Sequence, residues 1–170
     1  MMKRHRFLTS SKLEYTDVKK FSEIWTFKEV KMALFISGMK CCLCGEIMSD
    51  EQKVKMLPPF VLNKLDPLFL FHDSSIHVDC FNSHPLSEKV ARLCHDIVLK
   101  HASKRCDICS SIINTHREYV GFSCLSSDEL NPLSRYNATQ YHKSCFADSG
   151  LEKIIRDMVC AQKEEGIWQD

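Results

Sequence analysis

Cys41-Cys42-Leu43-Cys44 and His77-Val78-Asp79-Cys80 recur 65 positions later as Cys106-Asp107-Ile108-Cys109 and His142-Lys143-Ser144-Cys145. Residues 41–81 align with 106–146 without a gap, and both copies read C-x2-C-x32-H-x2-C. The agreement extends beyond these residues. Ile47 meets Ile112 and Phe81 meets Phe146, and Leu65-Asp66-Pro67-Leu68 meets Leu130-Asn131-Pro132-Leu133. Phe71 and Tyr136 follow at the same distance. An offset of 64 then aligns Glu88-Lys89-Val90-x-Arg92 with Glu152-Lys153-Ile154-x-Arg156, which implies one residue gained or lost between. Self-similarity at a fixed period marks a duplicated structural unit. The chain therefore divides into an N-terminal extension (1–40), a first unit (41–103) and a second (104–170).

The repeated residues carry the chemistry of a metal site. Two residues between cysteines let one tight turn aim both sulfurs at a single ion. A histidine and a cysteine three apart supply the other two corners of a tetrahedron from one helical turn. The predicted ligand sets are Cys41, Cys44, His77 and Cys80 for one Zn2+, and Cys106, Cys109, His142 and Cys145 for a second. Three thiolates and one imidazole fill the shell and leave no position for water, so both ions are expected to be structural. Units of this size have little apolar interior, and metal is expected to supply much of their folding energy. A thioredoxin-type CxxC does not fit, because each CxxC has a matching HxxC.

Six of the ten cysteines are consumed by these sites. Cys42, Cys94, Cys124 and Cys160 have no counterpart in the other copy. Cys94 and Cys160 are read as core residues on helix faces, and Cys124 as a buried or half-buried thiol. Cys42, beside a ligand, is a minor competitor for the first ion. No apolar run resembles a signal peptide or a membrane span, and the thiols fit a reducing, intracellular compartment.

After each CxxC, alternating stretches predict a hairpin. In the second unit it is Ser110–Ile113 with Tyr119–Phe122; in the first, Gly45–Met48 with Val54–Leu57, ended by Pro58-Pro59. The LxPL segments read as loops or short turns. A helix follows each HxxC. One is N-capped by Ser87 with Val90, Leu93, Cys94, Ile97 and Val98 on one face. The other carries Leu151, Ile154, Ile155, Met158 and Val159. In the extension, 17–25 predicts a short helix bearing Val18, Phe21 and Trp25, and 32–36 a strand, with Trp25 and Phe27 packing on the first unit. Knuckle, hairpin, then helix is the order of a treble-clef zinc finger. The expected fold is small α+β: two tandem treble-clef-like units behind an N-terminal extension.

The ligand order, long spacer and H-x2-C-F ending resemble the poly(ADP-ribose) polymerase-type zinc finger, which also occurs in tandem. Tyr141-His142-Lys143-Ser144-Cys145-Phe146 carries the resemblance most closely, and Ile76-His77-Val78-Asp79-Cys80-Phe81 more loosely. It covers the ligands and nearby aromatics of both units and implies zinc together with recognition of DNA ends or breaks. LIM domains share C-x2-C…H-x2-C but place further ligands close behind, and Ser83 stands where the next cysteine would be.

Charge bears on the partner. The chain is near neutral at +1, but residues 1–40 hold nine Lys/Arg against four Asp/Glu, while 41–170 hold fourteen against eighteen. Duplex-binding fingers need a basic face. The expected function is therefore a non-enzymatic, zinc-stabilised recognition or adaptor protein, with a protein partner favoured. DNA binding is the alternative, supported by the resemblance and by Lys3, Arg4, Arg6, Lys12, Lys19 and Lys20. A second alternative is an HNH-like metal-dependent nuclease, with His116 activating water; no other histidine or asparagine constellation accompanies it. No phosphate-binding glycine loop or nucleophile–base pair is present.

Overall fold

A computed structural model describes residues 36–170. The helix expected over 17–25, Trp25, Phe27 and all but the last residue of the expected strand over 32–36 lie outside the described residues. Ile36 itself precedes a turn and is exposed.

The two units repeat one small α+β arrangement. In the first, strand β1 (Val54–Leu57) pairs antiparallel with β2 (Ser74–His77), Val54 opposite His77 and Leu57 opposite Ser74. Short helix α1 (Val78–Ser83) follows directly, then the longer α2 (Ser87–Ser103). In the second, β3 (Tyr119–Gly121) pairs with β4 (Gln140–His142), followed by α3 (Lys143–Asp148) and α4 (Leu151–Glu164). Among the described residues no helix is long and apolar enough to cross a membrane.

The hairpin partners differ from those expected. Val54–Leu57 and Tyr119–Gly121 are strands, but each pairs with the strand running into the histidine. Gly45–Met48 and Ser110–Ile113 instead fold back on the segment before the CxxC, through single bridges between Lys40 and Ile47 and between Arg105 and Ile112. The turn itself explains this. The Cys41 N–H donates to Glu46 O (2.9 Å) and the Gly45 N–H to Cys41 O (2.9 Å), and Cys106 and Ser110 repeat the pattern. Those backbone groups are spent locally and cannot join a ladder.

Gly45 and Ser110 occupy equivalent positions, both in the left-handed region, with φ of +76° and +60°. A Cβ on Gly45 would meet nothing within 4 Å, so the turn accepts a side chain sterically and bears only the backbone cost. Glycine carries no such penalty at positive φ. Ser110→Gly is expected to stabilise the protein by about 0.5–1 kcal/mol, read as a raised urea midpoint in the zinc-loaded protein.

The LxPL segments are 3-10 turns, Pro67–Phe71 and Pro132–Tyr136. Asp66 Oδ1 and Asn131 Oδ1 accept from the Leu68 and Leu133 N–H groups (2.9 and 3.0 Å), and proline stands at the first position, where no N–H is needed.

Helix faces follow strict periodicity. Val90 and Ile97 are buried on α2, with Leu93 and Cys94 partly so. Ile155 and Val159 are buried on α4, flanked by Leu151 and Met158. Three expected core residues fall off these stripes: Val98 (62% exposed), Ile154 (45%) and Cys160 are in solvent. Each lies one residue from the stripe, and one residue rotates a side chain by about 100°. Burial also corrects the repeat alignment. Val90 and Ile155, Leu93 and Met158, and Leu86 and Leu151 are equivalent in packing, so the 65-residue offset persists through the helices. Ser87 is the first helical residue of α2, after Leu86, and makes no side-chain cap.

The two units interlock. Val61 forms a parallel bridge with Cys124. The Leu62 N–H donates to Cys124 O (3.0 Å) and the Cys124 N–H to Phe60 O (2.8 Å). Cys124, fully buried, thus sits in the first unit's core, among Phe60, Leu68 and Val90, while Leu62 packs on the second. The Ser127 N–H donates to Asp66 Oδ2 (2.7 Å), and buried Gln140 donates to Lys100 O at the end of α2 (2.7 Å). Asn63 holds the C-terminal residues. Its Nδ2 donates to Ile167 O (2.9 Å), and its Oδ1 accepts from the Gln169 and Leu65 N–H groups (3.0 Å each).

His72 buttresses this junction. Its Nδ1 accepts the Val61 N–H (3.1 Å), which requires the neutral ring, and the ring stacks on Phe69. Burial pushes its pKa below the ordinary 6.5. A base with a lowered folded-state pKa contributes stability that is present above its unfolded value and lost as pH falls. Between pH 7.5 and 5.5 the melting temperature is expected to fall less steeply in His72→Gln than in the parent protein, both zinc-loaded.

Candidate metal centre

Each cluster draws its ligands from three places. The knuckle contributes Cys41 and Cys44, the end of β2 contributes His77, and the first turn of α1 contributes Cys80. Cys106, Cys109, His142 and Cys145 are placed in the same way on the second knuckle, β4 and α3. The histidines are not inside the helical turn, as HxxC spacing alone predicts. His77 (φ −56°, ψ 136°) and His142 (φ −65°, ψ 141°) are the extended residues just before it. Neither caps its helix with its side chain, because the ring is turned onto the cysteines.

Within each set, one potential ligand atom per residue lies within 4.8 Å of all the others. His77 Nδ1 is 3.4 Å from Cys44 Sγ and 3.8 Å from Cys80 Sγ, and His142 Nδ1 is 3.3 Å from Cys109 Sγ. A tetrahedron with Zn–S of about 2.3 Å and Zn–N of about 2.0–2.1 Å has S···N edges of about 3.5 Å. In both sets the first cysteine is buried, the second exposed, and the remaining two ligands are half-buried.

The electrostatics also call for a cation. Burial raises the Cys41 thiol, but N–H groups of Cys44, His77 and Leu43 outweigh it and bring the pKa down to about 6. The Ser111 N–H leads a similar effect that lowers Cys109 to about 6. Cys80 and Cys145 are pushed up to about 11, by desolvation and then by the thiols crowded against them. Thiolates so close cannot all ionise unless a positive charge lies between them, and a divalent ion supplies it. The eight residues fit two structural zinc ions in Cys3His shells.

The outer contacts of the histidines were not legible from spacing. His77 Nε2 meets Gln52 Oε1 at 3.1 Å, whereas His142 Nε2 meets the Ile112 carbonyl at 3.2 Å. Cys42 is no ligand. Burial raises its thiol pKa, offset in part by the nearby Ser74. Its counterpart Asp107 accepts the Gln140 N–H (2.8 Å) and pairs with Lys100. Cys124 is buried as expected, and burial holds its thiol far above the usual range. His116 opens an exposed 3-10 turn (His116–Glu118). His84 accepts the Leu86 N–H (3.2 Å), and His101 stands edge-on to Tyr119. Among the described residues, the two Cys3His sets are the groups of three or more possible ligands that converge on a point.

No family model, curated protein or solved structure matches the chain.

Proposed function

We propose that the chain is a pair of treble-clef-like zinc modules, akin to the poly(ADP-ribose) polymerase-type finger, acting as a non-enzymatic recognition platform for a protein partner. The observation that carries this reading is the closed Cys3His shell at both sites. Such an ion has no open position for water or substrate and serves to hold a surface rigid. The interlocked units then present that surface as one piece.

Two further features favour a protein partner. Equivalent positions in the two copies expose apolar side chains: Ile47 and Ile112 (62% and 52%), and Leu65 and Leu130 (50% and 92%). Isolated exposed leucines are ordinary, but exposure at the same places in both copies points to shared use. Residues 41–170 also carry more acidic than basic groups, which opposes tight binding to phosphates. DNA binding is the second reading, favoured by the basic residues between Lys3 and Lys20.

Affinity purification of the zinc-loaded full chain, with the eluate assayed for protein and nucleic acid, separates the two. The expected result is a stoichiometric protein partner lost in the double variant Leu65→Asp/Leu130→Asp, and no anisotropy change with nicked or intact duplex at low salt. Salt-sensitive binding to nicked duplex, unchanged by that variant, overturns the protein reading in favour of DNA.

A further inference from the structure

The inner ligands of the two clusters are alike in type, order and burial. The group behind each histidine is not. In the second unit it is the Ile112 carbonyl, part of the backbone and tied down by the bridge to Arg105. In the first it is the side chain of Gln52, an exposed residue in the loop before β1. Arg117 stands at the equivalent position of the second unit and does not serve its histidine.

The hydrogen bonds determine which ring nitrogen carries the proton. The Ser49 N–H donates to Gln52 Oε1 (2.9 Å), so the atom facing His77 is the amide oxygen, not the nitrogen. An oxygen there can only accept, so His77 Nε2 carries the hydrogen and the Nδ1 lone pair faces Cys44 and Cys80. Ile112 O imposes the same tautomer on His142. Outer partners of this kind orient a ligating imidazole and raise its basicity, and their removal typically weakens metal binding about 10–100-fold.

We propose that Gln52 is a positioning residue for the first zinc, and that resting on an exposed side chain instead of the backbone makes this ion the first to be lost. The inference rests on the assignment of zinc to both clusters. A solvent-facing amide on a rotatable stem restrains the ring less than a carbonyl locked in a turn. The two sites thus have one inner chemistry but different hold on the metal, and the first unit becomes the earlier of the two to respond as zinc supply falls.

The test is zinc transfer from the whole 170-residue chain, zinc-loaded, to a chromogenic chelator, with native mass spectrometry counting bound ions. Two phases of one ion each are expected. Gln52→Ala should quicken the faster phase about tenfold and leave the slower one unchanged. Gln52→Glu keeps the acceptor for Ser49 and replaces the amide oxygen with a carboxylate, so it should slow the faster phase below that of the parent. The His77 imidazole 15N shifts should retain the Nε2–H form in the glutamate variant and broaden between tautomers in the alanine variant. These shifts separate positioning from a general loss of stability. A Gln52→Ala protein that releases both ions as the parent does, or releases the second-unit ion faster, overturns the proposal while leaving the zinc assignment standing. A protein that takes up no zinc overturns both.

Discussion

Cys106→Ser is expected to abolish the second zinc site, unfold its unit and lower the melting temperature of the first unit as well. The buried knuckle cysteine receives the His142 N–H (3.3 Å) besides facing the ion, so its loss disturbs both the turn and the strand end. Structural zinc in small fingers contributes roughly 10–16 kcal/mol of apparent binding free energy, comparable with or above the whole net stability of an ordinary domain. The second unit's apolar cluster is a dozen residues centred on Phe122, Leu133 and Ile155, too few to hold the chain once the metal is gone. Spread to the first unit follows from Cys124, which crosses into the other core and pairs with Val61. Elemental analysis should find two zinc ions per chain in the parent and fewer than two in the variant. Far-ultraviolet circular dichroism should show the surviving transition shifted down. If the first unit melted unchanged, the two would be thermodynamically independent, and the interlock would contribute nothing.

Asn63→Ala is expected to destabilise the zinc-loaded protein by about 3 kcal/mol, a large effect for one non-ligand substitution. Asn63 is 6% exposed and satisfies the Leu65 and Gln169 N–H groups and the Ile167 carbonyl at once. Removing the amide takes away three hydrogen bonds to the backbone, and an ordinary hydrogen bond contributes about 0.5–1.5 kcal/mol net, so the three together account for the stated figure. The tail beyond α4 should also loosen. Trp168, 4% exposed in the second core, should then move toward water. A lower urea midpoint, a red-shifted tryptophan emission and faster amide exchange at Gln169 are the expected readouts. Because no zinc ligand takes part in this contact, zinc content should remain at two. An unchanged midpoint would show that the tail is not coupled to the first unit.

The eight ligands were legible because metal geometry is written in local spacing. A two-residue gap and a three-residue gap each fit one backbone turn, and duplication repeats the pattern at equal separation. The helices after each HxxC were equally plain, since Val90, Ile97, Ile155 and Val159 recur at helical period. Residues one step off the stripe, such as Val98 and Ile154, were harder to assign, because an apolar letter does not state which way it points.

Strand pairing was decided by long-range structure. Tyr119–Gly121 could be recognised as strand, but its partner, Gln140–His142, lies beyond a 3-10 turn that a simple hairpin reading passes over. Knuckle backbone groups turned inward removed the nearer partner from competition. The same holds for Cys124 among Phe60 and Leu68, and for Gln52 behind His77.

What the sequence by itself determined is therefore the coordination chemistry: which residues are placed to hold metal, how many such sets there are, and that two like units follow one another. What only the tertiary structure decided is how those units share a core, which backbone ladders form and what stands behind each histidine. The physical reason is range. Ligand spacing and helical period act over a turn or two of chain. Burial of Cys124, the Asn63 clamp and the Gln52 contact depend on residues brought together only after both units have folded.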